Sequence, residues 1–334
     1  PAHGRLFRGH GDGTFEDVTL RTQFRPPEPA FGLGVMTLDY DDDGDTDVFV
    51  TNDSTPNHLW ENQGDGTFVE VGFRRGVSHD ANGKAQASMG IACGDWNGDG
   101  RDDLFVTNFS GESDALYASA KGLGFRERSA SSGIAGPSLP SLGWGTHMID
   151  FDLDGDLDLS VLNGHVYPQA DLPGTDTSYA QRDQLFRNDG HGRFMVENPS
   201  DAPPMVSRAS AYADLDGDGD IDLVGLQVDG QVRVLLNTAH AGPTAHWLRV
   251  RLRGHASNRN GIGARVIAQW KGGSLRAEIR TVGGFQSSIP AEAHFGLGSI
   301  DRLDHLIVRW PSGREQSLEG VAVDRLVVVE EPGG

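Results

Sequence analysis

The sequence predicts an all-β protein, in which a β-propeller of about four blades, or part of a larger propeller, precedes a small β-sandwich or barrel. Three observations support this prediction. A nine-residue acidic loop recurs four times, short β-prone segments flank each copy, and a hairpin phrase recurs between copies. A unit of this kind cannot bury both of its faces alone, so neighbouring units are expected to stack around an axis.

The acidic loops share one pattern: an oxygen-bearing side chain at positions 1, 3 and 5, glycine at position 6 and aspartate at position 9. Acidic loops 1 to 4 comprise residues 39–47 (DYDDDGDTD), 95–103 (DWNGDGRDD), 150–158 (DFDLDGDLD) and 214–222 (DLDGDGDID). Glycine at position 6 permits a sharp inward turn, because it adopts backbone angles that other residues avoid. The flanking oxygens can therefore converge on one point.

The chemistry of these loops predicts about four bound Ca²⁺ ions. Oxygen-only, charge-rich ligation suits a hard cation that accepts about six to eight ligands, which favours Ca²⁺ over Mg²⁺. Position 7 is expected to offer its carbonyl oxygen and position 9 to close the cage. The predicted ligands are Asp39, Asp41, Asp43, Asp45, Asp47, Asp95, Asn97, Asp99, Arg101, Asp103, Asp150, Asp152, Asp154, Asp156, Asp158, Asp214, Asp216, Asp218, Asp220 and Asp222.

Two other interpretations of the loops are weaker. An EF-hand requires helices on both sides and a bidentate glutamate at position 12, and that position holds Val50, Val106, Val161 and Gly225. The segments after the loops, such as residues 48–51 (VFVT), are β-prone instead. Acidic turns without metal would crowd fifteen aspartates, at positions 1, 3, 5 and 9, into four turns where they repel each other.

The repeat is longer than the loop. The first predicted ligands of successive loops are 56, 55 and 64 residues apart. A hairpin phrase recurs at residues 59–68 (LWENQGDGTF) and 185–194 (LFRNDGHGRF), opens the chain at 6–15, and is degraded at 116–125. Glycine supplies the positive φ that a tight turn needs. One unit is therefore strand, acidic loop, strand, strand, hairpin turn and strand.

Complete units are predicted at about residues 31–71, 88–129 and 143–197, with a partial unit at 208–237. The N-terminal hairpin at residues 5–19 could complete the last blade and close a small ring. The alternative is a fragment of a longer propeller.

The charge of the chain changes near residue 240, which predicts domains at residues 1–240 and 241–334, separated at Gly242-Pro243. The first segment contains 16 Lys+Arg and 39 Asp+Glu, a net of −23, whereas the second contains 12 and 9, a net of +3. Apolar and basic residues alternate along residues 248–253 (LRVRLR), which predicts antiparallel strands with basic side chains on one face. That basic face is expected to be solvated or to dock onto the propeller.

These residues also carry a family resemblance. The units resemble the FG-GAP/VCBS repeats of integrin α-subunit propellers and many secreted bacterial proteins, over about residues 1–240. Residues 258–266 (NRNGIGARV), 283–287 (GGFQS), 294–298 (HFGLG) and 308–313 (VRWPSG) resemble the ASPIC/UnbV domain. The chain resembles the cartilage acidic protein family and its bacterial relatives in two respects. Its repeats precede an ASPIC/UnbV-like domain, and residues 163–167 (NGHVY) are typical of that family.

The resemblance implies a secreted or cell-surface protein, with the periplasm as an alternative, that binds Ca²⁺ between the strands of a propeller. It implies no settled biochemical activity. The leading hypothesis is a module that binds a protein or a glycan, in which Ca²⁺ is a structural staple. The acidity of the propeller argues against nucleic acid, and no stretch has the length of a membrane span. The oligomeric state is not predicted.

The alternative hypothesis is a Ca²⁺-dependent enzyme, such as a propeller polysaccharide lyase or a natural-product tailoring protein of the UnbV type. His147 and His165 flank acidic loop 3, with Tyr167 nearby, and could approach each other to form an acid/base or metal-binding cluster. Histidines bonded locally to backbone are the more frequent outcome. The chain contains no serine-nucleophile, zinc, P-loop or dinucleotide motif, so binding is favoured over catalysis.

Overall fold

The computed structural model describes residues 1–26, 28–197, 203–238 and 245–333. Its described part is all-β, as predicted, with two four-residue α-helices, α1 at Gly72–Arg75 and α2 at Ala135–Ser138, and a short 3-10 helix at Pro168–Asp171. The predicted domain boundary at residues 240 and 241, and the Gly242-Pro243 break, lie outside the described residues.

The chain begins with a two-stranded antiparallel sheet of β1 (Phe7–Gly9) and β2 (Phe15–Asp17). The prediction that this hairpin completes the last blade is wrong. The segment that follows it packs on the first full blade instead, where the Phe24 ring stacks on Trp60 at 4.5 Å between centroids. The Phe68 backbone N–H also donates to the Thr22 carbonyl.

Three four-stranded antiparallel sheets follow, at the positions that the repeat predicts. Blade 1 contains β3 to β6, at Gly32–Leu38, Asp47–Asn52, His58–Asn62 and Phe68–Glu70. Blade 2 contains β7 to β10, at Ile91–Gly94, Asp103–Val106, Ala115–Ala120 and Gly124–Glu127. Blade 3 contains β11 to β14, at Gly143–Ile149, Asp158–Asn163, Gln184–Asn188 and Phe194–Glu197.

Blade 4 has three strands among residues 203–238, namely β15 to β17, at Ser207–Ala213, Asp222–Gln227 and Val232–Leu235. The first strands of successive blades are neighbours, in the order β3, β7, β11 and β15. Buried apolar side chains fill each gap between blades, for example Phe49 and Tyr117 between blades 1 and 2, and Phe105 and Phe186 between blades 2 and 3. The blades therefore stack around an axis, with each acidic loop joining the first two strands of its blade.

The second domain is a sandwich of two sheets around one apolar core. Its strands β18 to β24 span His246–Arg253, Arg265–Trp270, Gly273–Glu278, Glu292–Gly298, Arg302–Arg309, Glu315–Ala322 and Arg325–Glu330. One sheet has the order β21-β18-β24 and the other β20-β19-β22-β23. The prediction of purely antiparallel pairing is wrong at one place, because β18 pairs with β24 in parallel, with Val250 opposite Val327.

A connection of the second domain reaches into the propeller. We call residues 281–289 the axial segment, because they lie against the first strands of the blades. The backbones of Gly284 and Ile91 exchange two hydrogen bonds, of 2.8 and 3.1 Å. Phe285 packs with Met89, Leu142 and Trp144. The axis of the propeller is therefore occupied by the chain itself.

Candidate metal centre

The turn at the middle of each acidic loop follows from its position-6 glycine. Gly44 in loop 1 has φ of 93° and Gly155 in loop 3 has φ of 99°, angles that side chains disfavour. This turn directs backbone N–H groups at the position-1 carboxylate. In loop 3, Asp154 N donates to Asp150 Oδ1 at 3.2 Å and Gly155 N to Asp150 Oδ2 at 2.8 Å. The position-1 side chain is thus fixed by its own loop.

The carboxylates at the predicted ligand positions converge in three of the loops. Each group offers three carboxylate oxygens within 4.8 Å of one another, and the groups are Asp39, Asp41 and Asp43 in loop 1, Asp150, Asp152 and Asp158 in loop 3, and Asp214, Asp216 and Asp218 in loop 4. Three anionic oxygens this close repel each other unless a cation or a proton lies between them. This spacing suits the oxygen shell of a Ca²⁺ ion.

Two position-3 oxygens supply an independent test of the fit. Asp41 Oδ1 and Asp152 Oδ1 are buried and have no hydrogen-bond partner among the described residues. Burial, together with the neighbouring carboxylates, raises the pKa of both Asp41 and Asp152. A buried carboxylate oxygen without a donor is costly, and a bound cation would satisfy it. The residues of loops 1 and 3 therefore fit a calcium ion.

Acidic loop 2 differs from the others in two positions. Asn97 replaces the position-3 aspartate, and its Oδ1 accepts from Asp99 N at 3.0 Å. The Arg101 side chain folds back onto the position-5 carboxylate, with Nη2 at 2.5 Å from Asp99 Oδ2. Loop 2 therefore has fewer anionic oxygens and carries a cation of its own.

The position-9 aspartates have a structural role that the sequence did not reveal. Asp158 accepts from Phe151 N at 3.0 Å and from Asn188 N at 2.7 Å, so it joins its loop to the third strand of the blade. Asp47 and Asp222 make the equivalent pairs of bonds, and Asp103 accepts from Ser119 N. Burial raises the pKa of Asp47 and Asp158 to about 7 and that of Asp103 to about 8.

The position-7 aspartate side chains of loops 1 and 3 lie beside the hairpin turn of the same blade. A Cβ on Gly64 would be 2.7 Å from Asp45 Oδ2, and one on Gly190 would be 2.6 Å from Asp156 Oδ2. These two glycines leave room for the side chains. A position-7 contribution to metal binding through the backbone carbonyl stays a prediction.

The second domain rests on all four acidic loops. Arg265 reaches Asp39 of loop 1, Arg249 reaches Asp214 of loop 4, and both Arg276 and Arg280 pair with Asp102 of loop 2. On loop 3, Gly298 N donates to Leu153 O at 2.8 Å, and on loop 4, His294 Nε2 lies 2.9 Å from Gly219 O. Sequence reasoning named none of the second-domain side chains as part of the metal site, although the opposite net charges of the two domains pointed to the contact.

The two histidines near loop 3 do not form the cluster considered from the sequence. His147 is 2 % exposed, lies 3.0 Å through Nε2 from Ser210 O, and packs on the Tyr212 ring. His165 is 6 % exposed and contacts Phe109 and Tyr167 instead. The prediction that the two rings approach each other is wrong, because His147 lies within β11 and His165 lies beyond the far end of β12. Neither ring is exposed in an axial channel.

Burial of His147 and His294 predicts a loss of stability in mild acid. It lowers the pKa of each to about 4, against about 6.5 in an unfolded chain. Between these values the unfolded chain binds more protons, so the free energy of unfolding decreases as pH falls. From pH 7 to pH 5 we expect each histidine to contribute a loss of about 2 kcal/mol.

Chemical unfolding in saturating Ca²⁺ measures this effect. In His147→Gln, the difference in unfolding free energy between pH 7 and pH 5 should shrink by about 2 kcal/mol. The exposed His10 provides the control, since His10→Gln should leave the difference unchanged. Equal pH dependence in wild type and His147→Gln would contradict the prediction.

Comparison with known proteins matches both parts of the chain. The FG-GAP-like repeat model matches residues 39–106 and 95–161, and the model described as ASPIC and UnbV matches residues 254–334. The chain therefore belongs to the proteins that combine FG-GAP-like repeats with an ASPIC/UnbV domain.

Within that class, the chain is homologous to cartilage acidic protein 1. It is 32% identical to the Homo sapiens protein over 284 residues and 31% identical to the Mus musculus protein over 281 residues. These matches cover 80% of this chain but 39% and 40% of the relatives, so the chain spans about two fifths of their length.

Among solved structures, an Agrocybe aegerita lectin that recognises non-reducing terminal N-acetylglucosamine has a TM-score of 0.38 at 17% identity, covering 87% of this chain and 80% of the lectin. A Bacillus licheniformis rhamnogalacturonan lyase has a TM-score of 0.32 at 9% identity, covering 99% and 75%. Scores this low carry no functional information. In the described segments, no helix combines the length and apolar character that crossing a bilayer requires.

Proposed function

We propose that this chain is a secreted or cell-surface calcium-binding protein, whose propeller acts as a binding module for a protein or glycan. The observation that carries the calcium assignment is the pair of buried, unpartnered oxygens, Asp41 Oδ1 and Asp152 Oδ1, within converging carboxylates. Bound Ca²⁺ supplies positive charge that links the oxygens of a loop. The extracellular location rests on the homology to cartilage acidic protein 1 and on the millimolar calcium outside cells, which suits loops of this kind.

The chain's own residues hold the loops ready for this ion. Backbone N–H groups orient the position-1 carboxylates, and position-9 carboxylates tie each loop to its blade. The loops join paired strands rather than mobile helices, so occupancy is expected to stiffen the blades without a large movement. Calcium is therefore assigned a structural role.

The face opposite the acidic loops is the surface that we assign to a partner. The acidic-loop face is covered by the second domain, whereas the segment between β12 and β13, residues 164–183, lies at the other end of blade 3. It exposes Tyr167 and Leu172, both at 59%. Next to it is a groove of about 620 Å³ lined by Pro137, Pro140, Thr177 and Gln184. An exposed tyrosine suits a protein or sugar ligand, because its ring offers apolar area and its hydroxyl can hydrogen-bond.

Calorimetric titration of the metal-stripped chain with CaCl₂ tests the calcium assignment. We expect about four ions per chain, and we expect Asp152→Asn to remove one of them, since the variant lacks the position-3 anion of loop 3. The exposed Asp12 of the N-terminal hairpin gives a matched control, so Asp12→Asn should keep all four. Absence of binding in the wild type would overturn the proposal.

Glycan and matrix-protein arrays test the assigned surface. Binding should require Ca²⁺ and should fall at least tenfold in Tyr167→Ala, if the ring is a central contact. Phe73→Ala, which changes a more exposed aromatic side chain in α1, should bind like the wild type. Binding that survives both EDTA and Tyr167→Ala would refute the assignment of this face.

A further inference from the structure

The second domain contacts the four acidic loops in different ways. In loops 1 and 4, one of its arginines pairs with the position-1 carboxylate. Arg265 Nη2 donates to Asp39 Oδ2 of loop 1 at 2.8 Å, and Arg249 Nη1 donates to Asp214 Oδ2 of loop 4 at 2.6 Å. These pairs are sheltered from solvent, with side-chain exposures of 24% and 13% in the first and of 17% and 0% in the second. A protein cation therefore already sits on a predicted calcium ligand in both loops.

Among the described residues, no side-chain cation pairs with the position-1 carboxylate of acidic loop 3. Asp150 at its position 1 faces the backbone of the second domain, where a Cβ on Gly296 would lie 1.9 Å from Asp150 Oδ2. None of the ion pairs found within the described ranges involves Asp150, Asp152 or Asp154. In loop 2, the arginines of the second domain pair with Asp102 at position 8, which is not a predicted ligand.

We propose that Arg265 and Arg249 lower the calcium affinity of acidic loops 1 and 4, so that both of these loops fill after loop 3. This inference rests on the proposed function, because it concerns the affinities of the same calcium sites. Both arginines belong to the second domain, Arg249 in β18 and Arg265 at the start of β19. The second domain is thereby assigned a role in setting the calcium response of the propeller.

The physical reason is the competition of two cations for one carboxylate. Asp39 already accepts from Asp43 N at 3.1 Å and Gly44 N at 3.2 Å, so its oxygens have little capacity left. A guanidinium within hydrogen-bond distance of a calcium ligand is repelled by the arriving ion, and shelter from solvent limits the screening of that repulsion. A second effect opposes it, because a fixed hydrogen-bond donor can orient a metal ligand. We expect the charge to dominate here, since backbone N–H groups already orient the carboxylate.

Coupling between sites is reciprocal in binding free energy. If Arg265 and Arg249 weaken calcium binding at loops 1 and 4, calcium at these loops must weaken the two ion pairs by the same factor. The contacts at loops 2 and 3 do not use a position-1 carboxylate, so they continue to hold the second domain. High calcium would therefore loosen only the two arginine contacts.

Calcium titration of Arg265→Gln/Arg249→Gln tests the proposal on the full chain. The wild type should show at least two classes of site. Asp152→Asn should abolish binding in the tightest class, and the double glutamine variant should tighten two of the weaker sites by about tenfold. Arg265→Lys/Arg249→Lys keeps both positive charges but lacks the planar guanidinium groups. The calcium affinity of its weaker sites should therefore stay as low as in the wild type. The control is Arg309→Gln, since the half-exposed Arg309 pairs with Glu315 away from the loops.

The outcomes separate this inference from the proposed function. No calcium binding by the wild type would defeat the proposed function. Four sites of one affinity, or a double glutamine variant whose weak sites are unchanged or weaker, would overturn only the role of the arginines. A near-ultraviolet circular dichroism spectrum like that of the wild type shows that the variant is folded. If the double glutamine variant is not folded, the single variants Arg265→Gln and Arg249→Gln test the proposal. Each is expected to raise the calcium affinity of one site.

Discussion

Removing calcium is expected to lower the melting temperature of the chain by on the order of 15 °C. An ion present at about 100 times its dissociation constant contributes about 2.7 kcal/mol per site, so four sites contribute on the order of 10 kcal/mol. In a chain of 334 residues, each kcal/mol moves the melting temperature by about 1.5 °C, because the unfolding entropy grows with chain length. Circular dichroism melts in CaCl₂ and in EDTA measure the difference.

The control separates specific binding from screening of the net charge of −20. A melt in EDTA with NaCl at matched ionic strength should recover only a small part of the loss, because sodium does not bridge the converging oxygens. Excess CaCl₂ should restore the transition. The same melting curve in CaCl₂ and EDTA would contradict the structural role of calcium.

A matched pair of substitutions in acidic loop 3 is expected to distinguish metal ligation from the internal structure of the loop. Asp154 at position 5 is exposed, and its carboxylate accepts from Asp156 N within the loop. Asp154→Ala should therefore destabilise the chain by about 2–3 kcal/mol in calcium and very little in EDTA. Asp158→Ala should cost about 2–5 kcal/mol in both conditions, because it leaves the N–H groups of Phe151 and Asn188 without their acceptor.

Urea unfolding of both variants, in calcium and in EDTA, gives the four free energies of unfolding that are compared. An Asp154→Ala chain as stable as the wild type in saturating calcium would show that loop 3 is not held by the ion. An Asp158→Ala chain that loses stability only in calcium would show that position 9 acts solely as a ligand. Asp45→Ala serves as a further reference, since its side chain lies toward the hairpin turn of blade 1.

The blades could be predicted from the sequence because their signals are local. The Gly-centred loops, the β-prone residues around them and the hairpin phrases all lie within one unit. Each unit forms an antiparallel sheet by pairing neighbouring segments. The strand predicted around residues 48–51 is therefore observed within β4. The all-β class and the sandwich were predicted for the same reason.

Features that depend on distant segments could not be predicted in this way. The parallel pairing of β18 with β24 joins residues separated by most of the second domain. The segment after the N-terminal hairpin packs on blade 1 through the stacking of Phe24 on Trp60, a contact that the spacing of the repeats does not predict. The arginine contacts with the acidic loops likewise depend on how two domains meet, and only the difference in their net charges pointed to them.

The position of the axial segment has a consequence for synthesis in the cell. Residues 281–289 leave the ribosome after all four blades, yet Phe285 fills the apolar space between Met89, Leu142 and Trp144. The apolar surface that Phe285 covers is therefore exposed on the blades until the second domain has been synthesised. The final packing of the blades depends on contacts of very large sequence separation, which form slowly. Truncation before the second domain should leave a chain that binds chaperones and aggregates, although it keeps the strands of blades 1 to 4.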